Sequence, residues 1–172
     1  MKIKFLALFQ LILLTTIVAC DPPTPAEFWK EYETNLLLKN VNDQGPYGGH
    51  RSMYWKSKRA YFFDSKNTLD FAKKNGWTLV DSLTFTREQA DKWKYLGKPV
   101  FPLTHKGFSD TSLQNATLED FPRWFGGNLT VYRFRTGWVT IDPGTTSSIE
   151  ENGFILINDD KRELAVYHLW GE

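Results

Sequence analysis

The chain has 172 residues, with 21 Lys and Arg against 20 Asp and Glu and a formal charge of +1. That balance argues against a nucleic-acid partner, because phosphate binding needs a concentrated basic footprint. A lone cysteine excludes an internal disulfide framework, so stability must come from a core, for which seven Trp, seven Tyr and thirteen Phe supply the area.

The first predicted element is a leader. Met1–Lys4 carries two lysines, Phe5–Leu14 is apolar apart from Gln10, and Ile17-Val18-Ala19-Cys20 closes the run with small residues before the cysteine. A basic start, a short apolar core and a small-residue exit make a secretory signal. The apolar run is shorter than the roughly 20 residues that a membrane span needs. Ile17-Val18-Ala19-Cys20 resembles the lipobox of bacterial lipoproteins, a likeness confined to residues 1–20. The resemblance implies removal of a signal peptide over 1–19 and lipidation of Cys20 through a diacylglyceryl group, with palmitate as a typical acyl chain. It further implies a lipid-anchored envelope protein facing the periplasm, or the outer face of a cell with one membrane. Asp21 resembles the aspartate that retains enterobacterial lipoproteins, which favours the inner over the outer membrane. Loss of Lys2 and Lys4 leaves 21 − 2 = 19 basic against 20 acidic side chains, a charge of −1.

Residues 20–25 form the lipidated cysteine and a proline-rich tether, Asp21-Pro22-Pro23-Thr24-Pro25. An extended proline segment rises about 3.1 Å per residue, so the tether reaches on the order of 15 Å and holds the domain close to the membrane. Residues 26–172 are expected to form one globular α+β domain, a mostly antiparallel sheet with an N-terminal helix and two or three short helices. Thr24-Pro25-Ala26-Glu27 reads as a capped helix start, and Phe28, Tyr32 and Leu36 recur at helical spacing, predicting a helix over Pro25–Leu38. Asn40–Ser52, dense in turn residues, reads as a loop. Met53–Phe63 reads as strand, turning near Lys56-Ser57-Lys58 and ending in a buried Tyr61-Phe62-Phe63 strand. A small helix follows over Thr68–Asn75, closed by Gly76.

Trp77–Phe85 alternates as a half-buried strand, and Thr86-Arg87-Glu88-Gln89 is a capping box opening a helix to Leu96. Lys98–Asn128 is interrupted by proline and glycine and reads as a long loop with a short helix near Leu118–Phe125. Leu129–Thr136 and Trp138–Asp142 read as strands meeting at Gly137, Thr145–Asn152 as loop, and Gly153–Asn158 with Arg162–Trp170 as a hairpin.

The chemistry-bearing motifs are few. The three histidines, His50, His105 and His168, show no helical metal spacing, leaving only a site assembled in space. There is no GxSxG and no phosphate loop, and Ser109-Asp110 beside His105 holds triad residue types within a single loop. The expected function is therefore that of a non-catalytic, cofactor-free protein that binds a protein partner in the envelope, of an immunity, exclusion or assembly type. Tyr47 and His50 in the glycine-rich loop, and Phe101, His105 and Phe108 in the long loop, are the candidate partner-binding residues. Recognition of glycan or lipid by exposed aromatics, and a hydrolase with a dispersed site, stand as alternatives.

Overall fold

The computed structural model describes residues 24–58, 61–110 and 121–172. Six strands make its frame: β1 Leu37–Gln44, β2 Gly48–Lys56, β3 Thr78–Phe85, and after four two-residue strands, β8 Leu129–Ile141, β9 Ser148–Asn158 and β10 Glu163–Gly171. Their order is β1-β2-β10-β9-β8-β3, and each neighbouring pair is antiparallel. The architecture is α+β and dominated by antiparallel sheet, as the sequence predicts. Among the described residues no helix is long and apolar enough to cross a membrane.

Both faces of the central strands are covered, because β10 is apolar at successive positions. Leu164 and Val166 join Met53, Trp55, Ile155 and Ile157 on one face. Ala165 and Tyr167 join Tyr54, Phe154 and Leu156 on the other. The first face is roofed by the N-terminal segment, through Trp29 and Tyr32, and by α1 Ser65–Lys74. Asp64 caps α1 by accepting from Asn67 N–H, and Gly76 follows it at φ +89°, as its expected closing role requires.

The second face is roofed by the excursion between β3 and β8. The Thr86–Gln89 capping box forms with both reciprocal bonds, but the helix it opens, α2, stops at Ala90 rather than Leu96. The chain turns there because Trp93 is drawn under Phe85, Phe101 and Phe108. Two hairpins follow, β4 Lys94–Tyr95 with β5 Lys98–Pro99, and β6 Leu103–Thr104 with β7 Gly107–Phe108. Phe121–Phe125 is not helical; the remainder of the helix expected near Leu118, with Thr117 and Asp120, lies outside the described residues. Arg123 fastens this layer from within, donating to Phe125 C=O and Ala90 C=O.

Three further expectations fail, each for a tertiary reason. Pro25–Leu38 is not an α-helix but two 3₁₀ turns, Glu27–Glu31 and Thr34–Leu36, separated by Glu33 at φ +41°. Trp29 and Tyr32 both pack on Trp55 and Phe71, and Leu37 is already drawn into pairing opposite Trp55. Asn40–Ser52 is not a loop but most of the β1–β2 hairpin: an edge strand needs only backbone pairing, so Asn and Asp are tolerated there. Tyr61-Phe62-Phe63 is not a strand; Phe63 alone is buried and its N–H bonds Lys161 C=O, while Phe62 is exposed with the Arg162 guanidinium 5.4 Å from its ring centroid. Residues 138–158 also pair further than predicted, since β8 is continuous through Gly137 and β9 begins at Ser148.

Candidate functional site

The sheet splits at one end, and polar chemistry is concentrated at the split. β9 leaves β10 after the His168–Gly153 pair, and the end of β10 then meets β8, Gly171 opposite Thr140. Asn152 is the extra residue of a bulge, falling between the Phe134–Gly153 and Arg135–Glu151 pairs. Its amide donates to Trp138 C=O at 2.9 Å and Leu169 C=O at 2.9 Å, which bridges the parted strands. Its carbonyl accepts the Thr136 hydroxyl proton at 2.9 Å. Thr136 Oγ1 lies 2.9 Å from His168 Nε2.

These bonds determine what the pair can do. The Thr136 proton is committed to Asn152, so His168 Nε2 is the donor to Thr136 and cannot take the hydroxyl proton. His168 is enclosed between Trp77 and Trp170, and burial together with the charge of Arg51 lowers its pKa to about 3. A neutral imidazole holding a hydroxyl in place serves as a lock on the split rather than a base–nucleophile pair. Neither Thr136 nor Asn152 stands out in the sequence, because their partners are 14 to 32 residues away. The one local mark of the site is His168 itself, set among the apolar residues of β10.

Beyond the lock, four segments meet at the exposed turn end. Glu172 N–H donates to Tyr47 C=O at 2.9 Å, and Glu172 Oε1 accepts from Gly144 N–H at 3.1 Å. His105 and Lys106, in the β6–β7 turn, both reach the Asp142 carboxylate, at 3.1 and 3.7 Å. The β1–β2 turn, the C-terminus, the β8–β9 turn and the β6–β7 turn are thereby tied together. Two aromatics stand out of this end, Tyr47 at 79% exposure and Trp138 at 43%. Trp138 is held from below by the bond from Asn152 to its carbonyl.

The predicted site residues divide. Tyr47 and His105 lie in turns of this end. His105 pairs with Asp142 of the β8–β9 turn. His50 is buried on the sheet face that carries Phe121, whereas His168 is on the opposite face with Trp77, so the sheet separates these two histidines. Among the described residues no group of three His, Cys, Asp or Glu is placed to hold a metal.

Of the two long-loop rings, Phe101 is drawn into the core and Phe108 is half-buried against it. Phe101 is fully enclosed, stacked on Tyr167 at 4.5 Å and on Phe108 at 5.2 Å, and Phe108 packs on Phe85, Trp93 and Phe154. The enclosed Phe101 ring has no face to offer a partner; the described part of the long loop is apolar because it roofs the sheet. Cys20 and Asp21 lie outside the described residues. A cleft of about 50 Å³ between Tyr95, Lys98, Pro99, Val100 and Pro122 has room for a water or two, far below the hundreds of Å³ of a ligand pocket.

Comparison with protein-family models, with curated proteins and with solved structures finds no match to this chain.

Proposed function

We propose that the chain is an exported, lipid-anchored envelope protein, held to the membrane through Cys20, whose domain binds a protein partner through the turn end of its sheet without catalysing a reaction. The observation that carries the binding part is the presentation of Tyr47 and Trp138, exposed aromatics on a backbone cross-tied by Glu172, Gly144 and Asn152. Large rings on a preorganised frame lose little entropy on binding and are favoured anchors of protein interfaces. The leader and the small-residue run before Cys20 support the anchoring part. One acyl chain binds only marginally, whereas the two or three chains of a lipoprotein cysteine hold stably. Asp21 favours the inner membrane, and the short tether keeps the domain beside it.

The test is a pulldown from detergent-solubilised envelope, comparing the unchanged chain with Tyr47→Ala and Trp138→Ala. A stoichiometric protein lost in both variants, at unchanged thermal stability, supports the reading. Retention on isolated peptidoglycan instead would favour glycan recognition. For the anchor, Cys20→Ser should move the protein from the membrane pellet to the soluble fraction.

A further inference from the structure

The sheet has an open edge whose side chains are complementary to themselves. Among the described residues β1 pairs only with β2, and Leu38–Gln44 are all exposed. An unpaired row of N–H and C=O groups over this length is a template for another strand, and proteins blunt such edges with bulges, charges or cover. The opposite edge is blunted: β3 has a bulge between Leu79 and Asp81, and Asp81 is engaged by Arg133. The bulge in β1 falls between Leu37 and Lys39, at its start, and the stretch after it runs in regular register to Gln44.

We infer that β1 pairs antiparallel with β1 of a second copy, with Val41 opposite Val41 on the two-fold axis and Lys39 of each copy opposite Asp43 of the other. Residues directly opposite in an antiparallel ladder either both turn their backbone groups to each other or both turn them away. The register can therefore shift only in steps that keep this parity. In the allowed register centred on Val41, Leu38 faces Gln44, Asn40 faces Asn42, and both Lys39–Asp43 pairs form. Centring on Asn40 or Asn42 instead sets Val41 opposite a charge. Centring on Lys39 or Asp43 sets like charges opposite one another, which is destabilising. Lys39 and Asp43 make no ion pair among the described residues and share one sheet face with Val41, the face of their β2 partners Tyr54, His50 and Ser52.

The symmetry is closed, because an isologous edge contact uses up both edges and stops at a dimer. Antiparallel pairing within one sheet requires a two-fold axis normal to the sheet. Both N-terminal segments, which roof the same face through Ala26 and Trp29, then lie on one side of the extended sheet. Two anchors of the kind proposed above can enter one bilayer from there, although the pairing itself does not depend on an anchor.

The test uses the full chain purified in detergent. Sedimentation at increasing concentration should show a monomer–dimer equilibrium. Lys39→Asp should weaken it about tenfold or more, since attraction becomes repulsion at two symmetric pairs, and the exchange Lys39→Asp with Asp43→Lys should restore it. Under mild oxidation Val41→Cys should give a disulfide-linked dimer, because opposed Cα atoms in a ladder fall within disulfide range. The unchanged chain and Thr84→Cys on β3 should not. A chain that stays monomeric throughout, a charge exchange that fails to restore association, or equal linking through Thr84→Cys would each overturn the inference; the first of these would leave the edge to a strand from another protein.

Discussion

Arg51 on β2 stands directly opposite His168 on β10, both enclosed, on the face of the sheet that carries Trp77. Arg51 bonds no carboxylate among the described residues; its Nε and Nη2 donate to the neutral Asn42 Oδ1 at 3.2 and 2.9 Å. Protonating His168 would put a second cation beside an enclosed guanidinium. Burial first, and this neighbouring charge second, hold the imidazole neutral, with a pKa of about 3 against the ordinary 6.5. The folded value lies below the unfolded one, so the contribution to stability is fully present above pH 6.5 and is lost as pH falls from there toward 3.

The expected outcome is an acid-labile fold whose loss begins near pH 6.5, above the range where carboxylates titrate. The full difference, 6.5 − 3 = 3.5 pH units, corresponds to about 5 kcal/mol. Urea denaturation at pH 7, 5 and 4 measures it. His168→Gln, which keeps a donor for Thr136, should flatten the curve across this window, and Arg51→Met should flatten it in part by removing the neighbouring charge. An unchanged pH slope in His168→Gln would refute the assignment.

Asn152 is the residue on which the split in the sheet depends. Asn152→Ala leaves the Trp138 and Leu169 carbonyls and the Thr136 hydroxyl without their partner. A buried group left unsatisfied costs about 1–3 kcal/mol, so with partial relaxation the variant should lose roughly 2–4 kcal/mol in chemical denaturation. Asn152→Asp should be worse, because it removes both donors and adds a buried charge. A loss below about 0.5 kcal/mol for Asn152→Ala would mean that water replaces the amide without penalty.

What was legible in the sequence was governed by neighbours along the chain. The Thr86–Gln89 box, the Gly76 closure, the alternation of Thr78–Phe85 and the β9–β10 hairpin all depend on residues a few positions apart. Distant partners decided the rest. Phe28, Tyr32 and Leu36 satisfy a helical period, yet Trp29 and Tyr32 reach Trp55 and Phe71 only if the helix is abandoned. The strand Leu37–Gln44 has a sequence poor in strand formers and exists because β2 pairs with it. At the turn end, Tyr47 and His105 are marked by the turn-rich segments that carry them, but Glu172, Gly144 and Asp142, which tie those segments together, carry no local signature.

Phe101 provides a direct test of the roof over the second face. Its ring is fully enclosed and stacked on Tyr167, whose hydroxyl donates to Pro122 C=O at 2.7 Å. Phe101→Ala should cost about 3–5 kcal/mol, the range for deleting a buried aromatic. Phe101→Leu should cost much less and leave partner capture unchanged. A Phe101→Ala variant of normal stability that lost its partner would restore this loop as a binding surface.

The turn end also owes its shape to two opposed glycines. Gly48 on β2 faces Gly171 on β10, and a Cβ on Gly171 would lie 2.1 Å from Tyr47 O, on Gly48 2.4 Å from Trp170 O. These contacts are with backbone, so relief requires the β1–β2 turn to move away from the C-terminus, breaking the Glu172–Tyr47 bond. Gly144 is the internal control: at φ +75° it is as left-handed as Gly171 at +80°, but a Cβ there meets nothing within 4 Å. Gly144→Ala should therefore cost only the left-handed strain, about 1–2 kcal/mol. Gly171→Ala should cost clearly more and should also shift the environment of Tyr47, measured by thermal melting and tyrosine fluorescence. If Tyr47 is a partner anchor, Gly171→Ala weakens capture and Gly144→Ala does not; equal effects from the two variants would mean that strain at the turns, rather than the close approach of the two strands, positions this end of the sheet.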